Sequence, residues 1–401
     1  MPDSTARRSY DLVLFGATGF AGGLTADYLA RHLPSGARWA LVGRNEAKLR
    51  GVRDRLAEAH TDSAPAELLV ADATDESSLR EVAESSRVVI TTVGPYLEHG
   101  EPLVAACAAA GTDYLDLTGE PEFVDRMYLA HHATASRTGA RIVHACGFDS
   151  IPHDLGALFT RRQLPEGAPA AIRGVVRGSG MFSGGTFHSA LGQFARLKQM
   201  REAMKRRSEV EPRPEGRRAR AKSDRPRRDR DLGLWLLPLP TLDPFIIKRS
   251  AAARPDYGSD FSYTHFAGVK SPVTIVGAAV GITALMAAVQ VPPLRRFIAS
   301  RVPQGEGPSP QRRARSWFTV DFLGESSGRT VRTRVSGGDP GYDETAKMLA
   351  EAAMCLAYDD NPSTAGQVTT AAAMGENLTS RLIDAGITFS VLDPATNVES
   401  K

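Results

Sequence analysis

Cysteine is nearly absent from this 401-residue sequence: Cys107, Cys146 and Cys355 are its three, an odd number with no C-x-x-C spacing. That excludes a disulfide framework and a cysteine zinc site and suits a reducing compartment. H-E-x-x-H spacing and a Ser-His-Asp order are missing as well, so no metal is expected. Before the first Gly-rich turn the apolar run is only Leu12 to Phe15, too short for a signal-peptide core, and a cytoplasmic protein is expected. Net charge is small, +3. Residues 201–231 hold 13 Lys/Arg against 7 Asp/Glu, and the remainder holds 36 against 39, so the basicity belongs to one segment and gives no argument for nucleic acid.

Long uncharged runs are also scarce. One exists, Ser271 to Leu294, flanked by Lys270 and Arg295-Arg296. Its length suits a bilayer, but Thr274, Thr283, Gln290, two glycines and many alanines weaken its transfer energy. It reads either as a buried helix or pocket wall, with Val276, Val280, Ile282, Leu285 and Met286 as its apolar face, or as a peripheral membrane contact.

What is present is alternation. From Tyr10 to Gly147, short β-branched runs near 10–16, 38–43, 67–72, 87–94, 113–118 and 140–146 alternate with amphipathic stretches near 21–33, 45–59, 75–85, 100–110 and 122–138. That pattern predicts an α/β, Rossmann-type, doubly wound parallel sheet over residues 1–150. Residues 151–341 read as an α+β substrate domain. It has helices near 153–163 and 187–207, a strand at 172–180 and a hairpin at 314–335 turning near Gly328. Residues 342–401 read as helices and a strand packing back on the core. Within the second domain, 205–231 is dense in Arg, Pro and Glu with almost no large apolar side chain, and predicts a disordered insertion.

The first strand runs directly into Gly16-Ala17-Thr18-Gly19-Phe20-Ala21-Gly22, a G-x-x-G-x-x-G run opening a helix. Glycines there allow a tight turn and let backbone N–H groups approach a pyrophosphate at the helix N-terminus. Gly16, Thr18, Gly19, Phe20 and Gly22 are therefore candidate cofactor residues. At the end of the second strand, where an acid would bind an unphosphorylated ribose, stands Arg44, with Asn45 and Lys48 just beyond, which points to NADP. Asp72, ending the third strand, either accepts from the adenine amino group or caps the next turn. After the fourth strand, Gly94 permits close approach to the cofactor and Pro95 fixes the turn, with Tyr96 near the nicotinamide side.

These motifs resemble, in order, the saccharopine dehydrogenase-like family: Gly16 to Gly22, Val42-Gly43-Arg44, Val93-Gly94-Pro95-Tyr96, Asp113 to Glu120 and Gly147-Phe148-Asp149-Ser150-Ile151-Pro152. Ser183-Gly184-Gly185-Thr186 and Gly341-Tyr342 to Ala357 resemble it too. The similarity covers nearly the whole chain outside 205–231 and is nearest the actinobacterial branch of trans-acting enoyl reductases. It implies an NADP-binding Rossmann domain, a substrate domain, and NADPH-dependent reduction of an α,β-unsaturated acyl thioester in polyketide or lipid biosynthesis. The implied partners are an acyl or carrier-bound substrate and a polyketide synthase.

Enoyl reduction places a hydride on the β-carbon and requires a donor facing the carbonyl oxygen and a proton for the α-carbon. Tyr96, Glu120 and Asp149 are the catalytic candidates, with His99 and His153 beside them, all in loops expected at strand ends. Each also has a plain reading: Tyr96 packs over the cofactor, Glu120 and Asp149 cap helices, and His99 and His153 begin them. Two other functions remain open. An amino-acid-type imine oxidoreductase would need arginines for carboxylates. A non-catalytic NADP- or lipid-binding protein would bind cofactor without oxidising it.

Overall fold

The computed structural model describes residues 8–61, 63–179, 195–271 and 307–397, with isolated positions between 273 and 294. The first half contains β1 (Tyr10–Phe15), α1 (Phe20–His32), β2 (Trp39–Gly43), α2 (Glu46–Ala59), β3 (Glu67–Val70), α3 (Glu76–Ser85), β4 (Ser86–Thr91), α4 (Tyr96–His99), α5 (Glu101–Ala110), β5 (Asp113–Asp116), α6 (Pro121–Thr138) and β6 (Arg141–Val143). Next come α7 (Ile151–Arg161), β7 (Ala170–Gly178), α8 (Leu197–Val210), β8 (Arg218–Lys222), β9 (Arg227–Asp229), β10 (Leu234–Pro238), α9 (Asp243–Ala253) and β11 (Asp260–Val269). The chain ends with α10 (Pro310–Arg313), β12 (Phe318–Ser326), β13 (Arg329–Gly337), α11 (Asp343–Tyr358), β14 (Gly366–Val368), α12 (Thr370–Ala373), α13 (Gly375–Asp384) and β15 (Thr388–Asn397).

The first sheet is parallel throughout, ordered β14-β6-β5-β4-β1-β2-β3. Its central strands are near-continuous apolar runs, such as Leu12-Val13-Leu14-Phe15 in β1, because helices cover both faces. Chain order reverses between β1 and β4, and the loops after these two strands, at Gly16 and Thr92, flank the resulting crevice. Ligands of such sheets bind outside the carboxyl ends of the strands at this point.

The second sheet is mixed, ordered β15-β13-β12-β7-β11-β10-β9, with β8 also paired to β11. The expected hairpin is β12–β13. Its two-residue turn puts Ser327 at φ 48° and Gly328 at φ 75°, the left-handed pair that matches strand twist. The C-terminal segment is shared between the sheets: β14 pairs with β6, and β15 with β13. Helix α11 is buried on all sides from Met348 to Ala357. Its alanines let it lie close on α1 and β4, and its Glu351 is satisfied by the Tyr28 hydroxyl at 2.7 Å and by Arg381 at 3.2 Å.

The segment 205–231 is folded, which corrects the expectation of disorder. It completes α8, adds β8 parallel to β11 and pairs β9 antiparallel with β10. The charged side chains that hold it do so through polar partners, not by apolar burial. Arg217 donates to the carbonyls of Ala251, Ala252 and Arg254 at the end of α9, and Arg173 reaches Asp229 at 2.9 Å. Most of the run 271–294, with its pocket-wall and membrane readings, lies outside the described residues. Among the described residues no helix is long and apolar enough to cross a membrane.

Candidate functional site

The glycine loop after β1 is shaped by contacts that a side chain would destroy. Gly16 sits at φ 94°, and its carbonyl accepts from the Gly19 N–H at 3.0 Å. A β-carbon on Gly22 would stand 2.1 Å from the Gly16 oxygen and 2.8 Å from Thr92 Oγ1, so α1 can seat against the loop only with glycine there. The first bond along α1 is Gly23 N–H to the Gly19 carbonyl, which leaves the N–H groups of Phe20, Ala21 and Gly22 without intrahelical acceptors. No acidic side chain occupies this first turn and no side chain caps it, while Thr18 and Gly19 are exposed at the tip. The loop therefore fits a dinucleotide pyrophosphate.

Around it, Arg44 is exposed just beyond β2, free to meet a ribose phosphate. Asn45 has a structural duty, accepting from the Lys48 N–H at 2.9 Å as the N-cap of α2. Lys48 lies exposed in the first turns of that helix. Asp72 adopts the turn-capping alternative: its carboxylate accepts from Thr74 N–H and hydroxyl at 2.9 and 2.8 Å, bonds that hold it below the usual carboxylate range. Gly94 is exposed and Pro95 precedes α4 as its N-cap. Arg44→Ala is expected to weaken NADPH by about 1.5–3 kcal/mol, the worth of a charged hydrogen bond, while sparing NADH. Calorimetric titration of both cofactors checks it, and an equal loss for both would remove Arg44 from the phosphate.

Two catalytic candidates are corrected by their hydrogen bonds. Tyr96 is buried; its hydroxyl donates to the Thr91 carbonyl at 3.2 Å and accepts from the Leu117 N–H at 3.1 Å. Burial, with Asp116 nearby, pushes its pKa well above the ordinary value. It is a strut joining the ends of β4 and β5, not a proton donor facing the crevice. Glu120 is 1% exposed and its two carboxylate oxygens accept from the N–H groups of Tyr96 and Leu97, capping α4 from across the loop. His99 lies partly exposed on α4, 3.9 Å from Glu98.

Asp149 is different. It follows β6 at the same sheet edge as the glycine loop, is only partly buried, and its Oδ2 lies beside Gly119. Burial first, and then the negative charge of Asp243, push its pKa up to about 7. Asp243 opens α9 at 1% exposure, where the helix N-terminus favours an anion. Burial opposes its ionisation, but the nearby His153 and the hydrogen bond from the Thr241 hydroxyl outweigh it and hold the carboxyl below its usual range.

Sequence reasoning singled out His153 but missed Asp243, Tyr263 and His265, which complete this buried cluster. His153 Nδ1 is 3.1 Å from the Phe148 carbonyl and 3.3 Å from Asp243 Oδ1. His265 Nε2 is 3.7 Å from Asp243 Oδ2, and its Nδ1 meets the Tyr263 hydroxyl at 3.0 Å. Burial drives His265 down to about 4, so it faces Asp243 as a neutral ring at physiological pH. The Tyr-x-His spacing in β11, which puts both rings on one face, was the available signal.

His153, Asp243 and His265 are also a set of metal-ligand type, with one donor atom from each within 4.8 Å of the others. A carbonyl only accepts, so the His153 Nδ1 facing Phe148 carries a proton, and Asp243 Oδ2 accepts from the Thr241 hydroxyl at 2.6 Å.

Residues 12–143 match the family model described as the saccharopine dehydrogenase NADP binding domain. The trans-acting enoyl reductase of Mycobacterium tuberculosis H37Rv is 36% identical over 96% of this chain and 98% of its own. A second protein of that organism, Rv2449c, whose name gives the same activity provisionally, is 38% identical over 95% of this chain and 97% of its own. Among solved structures, yeast saccharopine dehydrogenase (L-Glu forming) superposes with a TM-score of 0.56 at 11% identity, covering 95% of this chain and 99% of that one, a likeness of fold. The chain is an NADP-binding oxidoreductase that belongs to the saccharopine dehydrogenase-like family, in the branch of the trans-acting enoyl reductases.

Proposed function

We propose that this protein reduces the carbon–carbon double bond of a 2-enoyl thioester, acting in trans on an acyl chain made by a polyketide synthase. The observation that carries the reading is Asp149: a partly exposed carboxyl at the same end of the first sheet as the glycine loop, whose pKa burial and then the charge of Asp243 raise to about 7. When bound, NADPH supplies the hydride that adds to the β-carbon. Asp149 then gives its proton to the α-carbon and regains one from solvent through its exposed side. Asp243 raises the proton affinity of Asp149 by its charge, and the Thr241 hydroxyl holds Asp243 in place by donating to its Oδ2 at 2.6 Å.

Two half-buried aromatic side chains, Phe148 and Phe20, would suit an acyl chain. Phe148, the neighbour of Asp149, packs edge-to-face on Phe318 at 5.0 Å, and Phe20 meets Tyr342 at 4.9 Å beside the glycine loop. Each CH₂ removed from water contributes about 0.8 kcal/mol. Purified protein should therefore oxidise NADPH with 2-enoyl thioesters, with kcat/KM rising along a chain-length series. Indifference to chain length, or turnover of saccharopine in preference, would overturn the acyl reading.

A further inference from the structure

Helices α8 and α9 enclose a cleft of about 340 Å³ that neither the cofactor loop nor the proton cluster uses. Arg201, Met204, Lys205 and Ser208 line it from α8, at the i, i+3, i+4, i+7 spacing of one helix face. Its floor is fixed. Arg207 is 3% exposed, stacked 3.9 Å from the Tyr128 ring centroid and bonded to Glu211 at 2.6 Å and Asp125 at 3.2 Å. Arg249 joins the same Asp125 at 2.5 Å, so two guanidinium groups and two carboxylates neutralise one another.

The rim is not neutralised. Arg201, Lys205 and Lys248 make no ion pair among the described residues, although the charge of Lys248 helps hold Glu211 ionised. Three like charges around one cleft repel unless an anion sits among them. The apolar part of the lining is Met204 and Phe245, and Phe245 packs against Val124, Ala145, Leu242 and Ile246. Lys248 lies five residues along α9 from Asp243, about 7.5 Å of helix rise.

We infer that this cleft binds the phosphate ester of a phosphopantetheine arm, the handle shared by coenzyme A thioesters and carrier-protein thioesters. The inference rests on the thioester reading and deepens it: the phosphate anchors on Arg201, Lys205 and Lys248. Lysine and arginine donate to phosphate as charge-assisted hydrogen bonds.

The test is calorimetric titration of the intact protein with 4′-phosphopantetheine and with pantetheine, which differ only in the phosphate. Phosphopantetheine should bind about tenfold tighter or better, and R201Q/K205Q/K248Q, at exposed or half-exposed positions, should bring the two to near equality. An unaltered NADPH affinity shows that the variant is folded. Equal binding of the pair by the wild-type protein would overturn the inference. Phosphate-dependent binding without reduction of any enoyl thioester would keep the cleft and remove the enoyl reading. If the triple variant weakens a carrier-borne substrate but not the coenzyme A thioester, the cations read acidic protein surface, and the phosphate assignment falls.

Discussion

Asp149→Asn is expected to lower kcat by about 10²–10⁴-fold, the usual worth of a positioned proton donor, while NADPH still binds. The pH dependence has a definite sign. Asp149 is protonated below about 7, so wild-type kcat should fall as pH rises through that value, and Asp243→Asn, which removes the neighbouring negative charge, should move the fall to lower pH. The same residue should cost stability. Its folded pKa lies above the unfolded value, so its contribution is most favourable in acid and declines as pH rises from about 4 to 7. An uncharged amide at this position escapes that penalty, so the inactive Asp149→Asn variant should be more stable than wild type at pH 8, by about 1–3 kcal/mol. Denaturant titrations at pH 5 and pH 8 measure it. An unchanged kcat would place the proton elsewhere.

Gly22→Ala is expected to abolish cofactor binding, by about a hundredfold or more, and to destabilise the domain by about 1–3 kcal/mol. The added methyl would stand 2.1 Å from the Gly16 carbonyl oxygen, so helix α1 must shift off the loop that presents its N–H groups. Gly51→Ala is the control. It sits in α2 with nothing within 4 Å of the new β-carbon, and should stabilise by about 0.5–1 kcal/mol. NADPH fluorescence titration and thermal melts distinguish the two, and normal binding by Gly22→Ala would refute the cradle.

The strands of the first sheet were legible because parallel strands buried on both faces must be apolar runs between turns, and β1, β2 and β4 are such runs. β8 and β9 were not, because arginine in a strand satisfies itself with carbonyls and carboxylates that only tertiary structure brings near. The loops carrying Tyr96, Glu120 and Asp149 were readable as strand ends, but loop position does not give side-chain direction. Two of these side chains turn inward to brace α4 and the β4–β5 junction. Asp149 stays partly exposed, and its proton affinity is raised by burial first and then by Asp243, which comes from a helix far along the chain. The glycine loop is local in sequence, whereas the buried His153, Asp243 and His265 cluster is assembled from α7, α9 and β11.

The most direct measurement of the central claim is the isotopic fate of a single turnover with a 2-enoyl thioester, using NADPH deuterated at the transferred position and, separately, D₂O. The account predicts a saturated thioester with one deuterium at the β-carbon from the cofactor and one at the α-carbon from solvent, and little product of either kind from Asp149→Asn. Deuterium from NADPH on any other carbon, or NADPH oxidised only by an imine substrate, would contradict it.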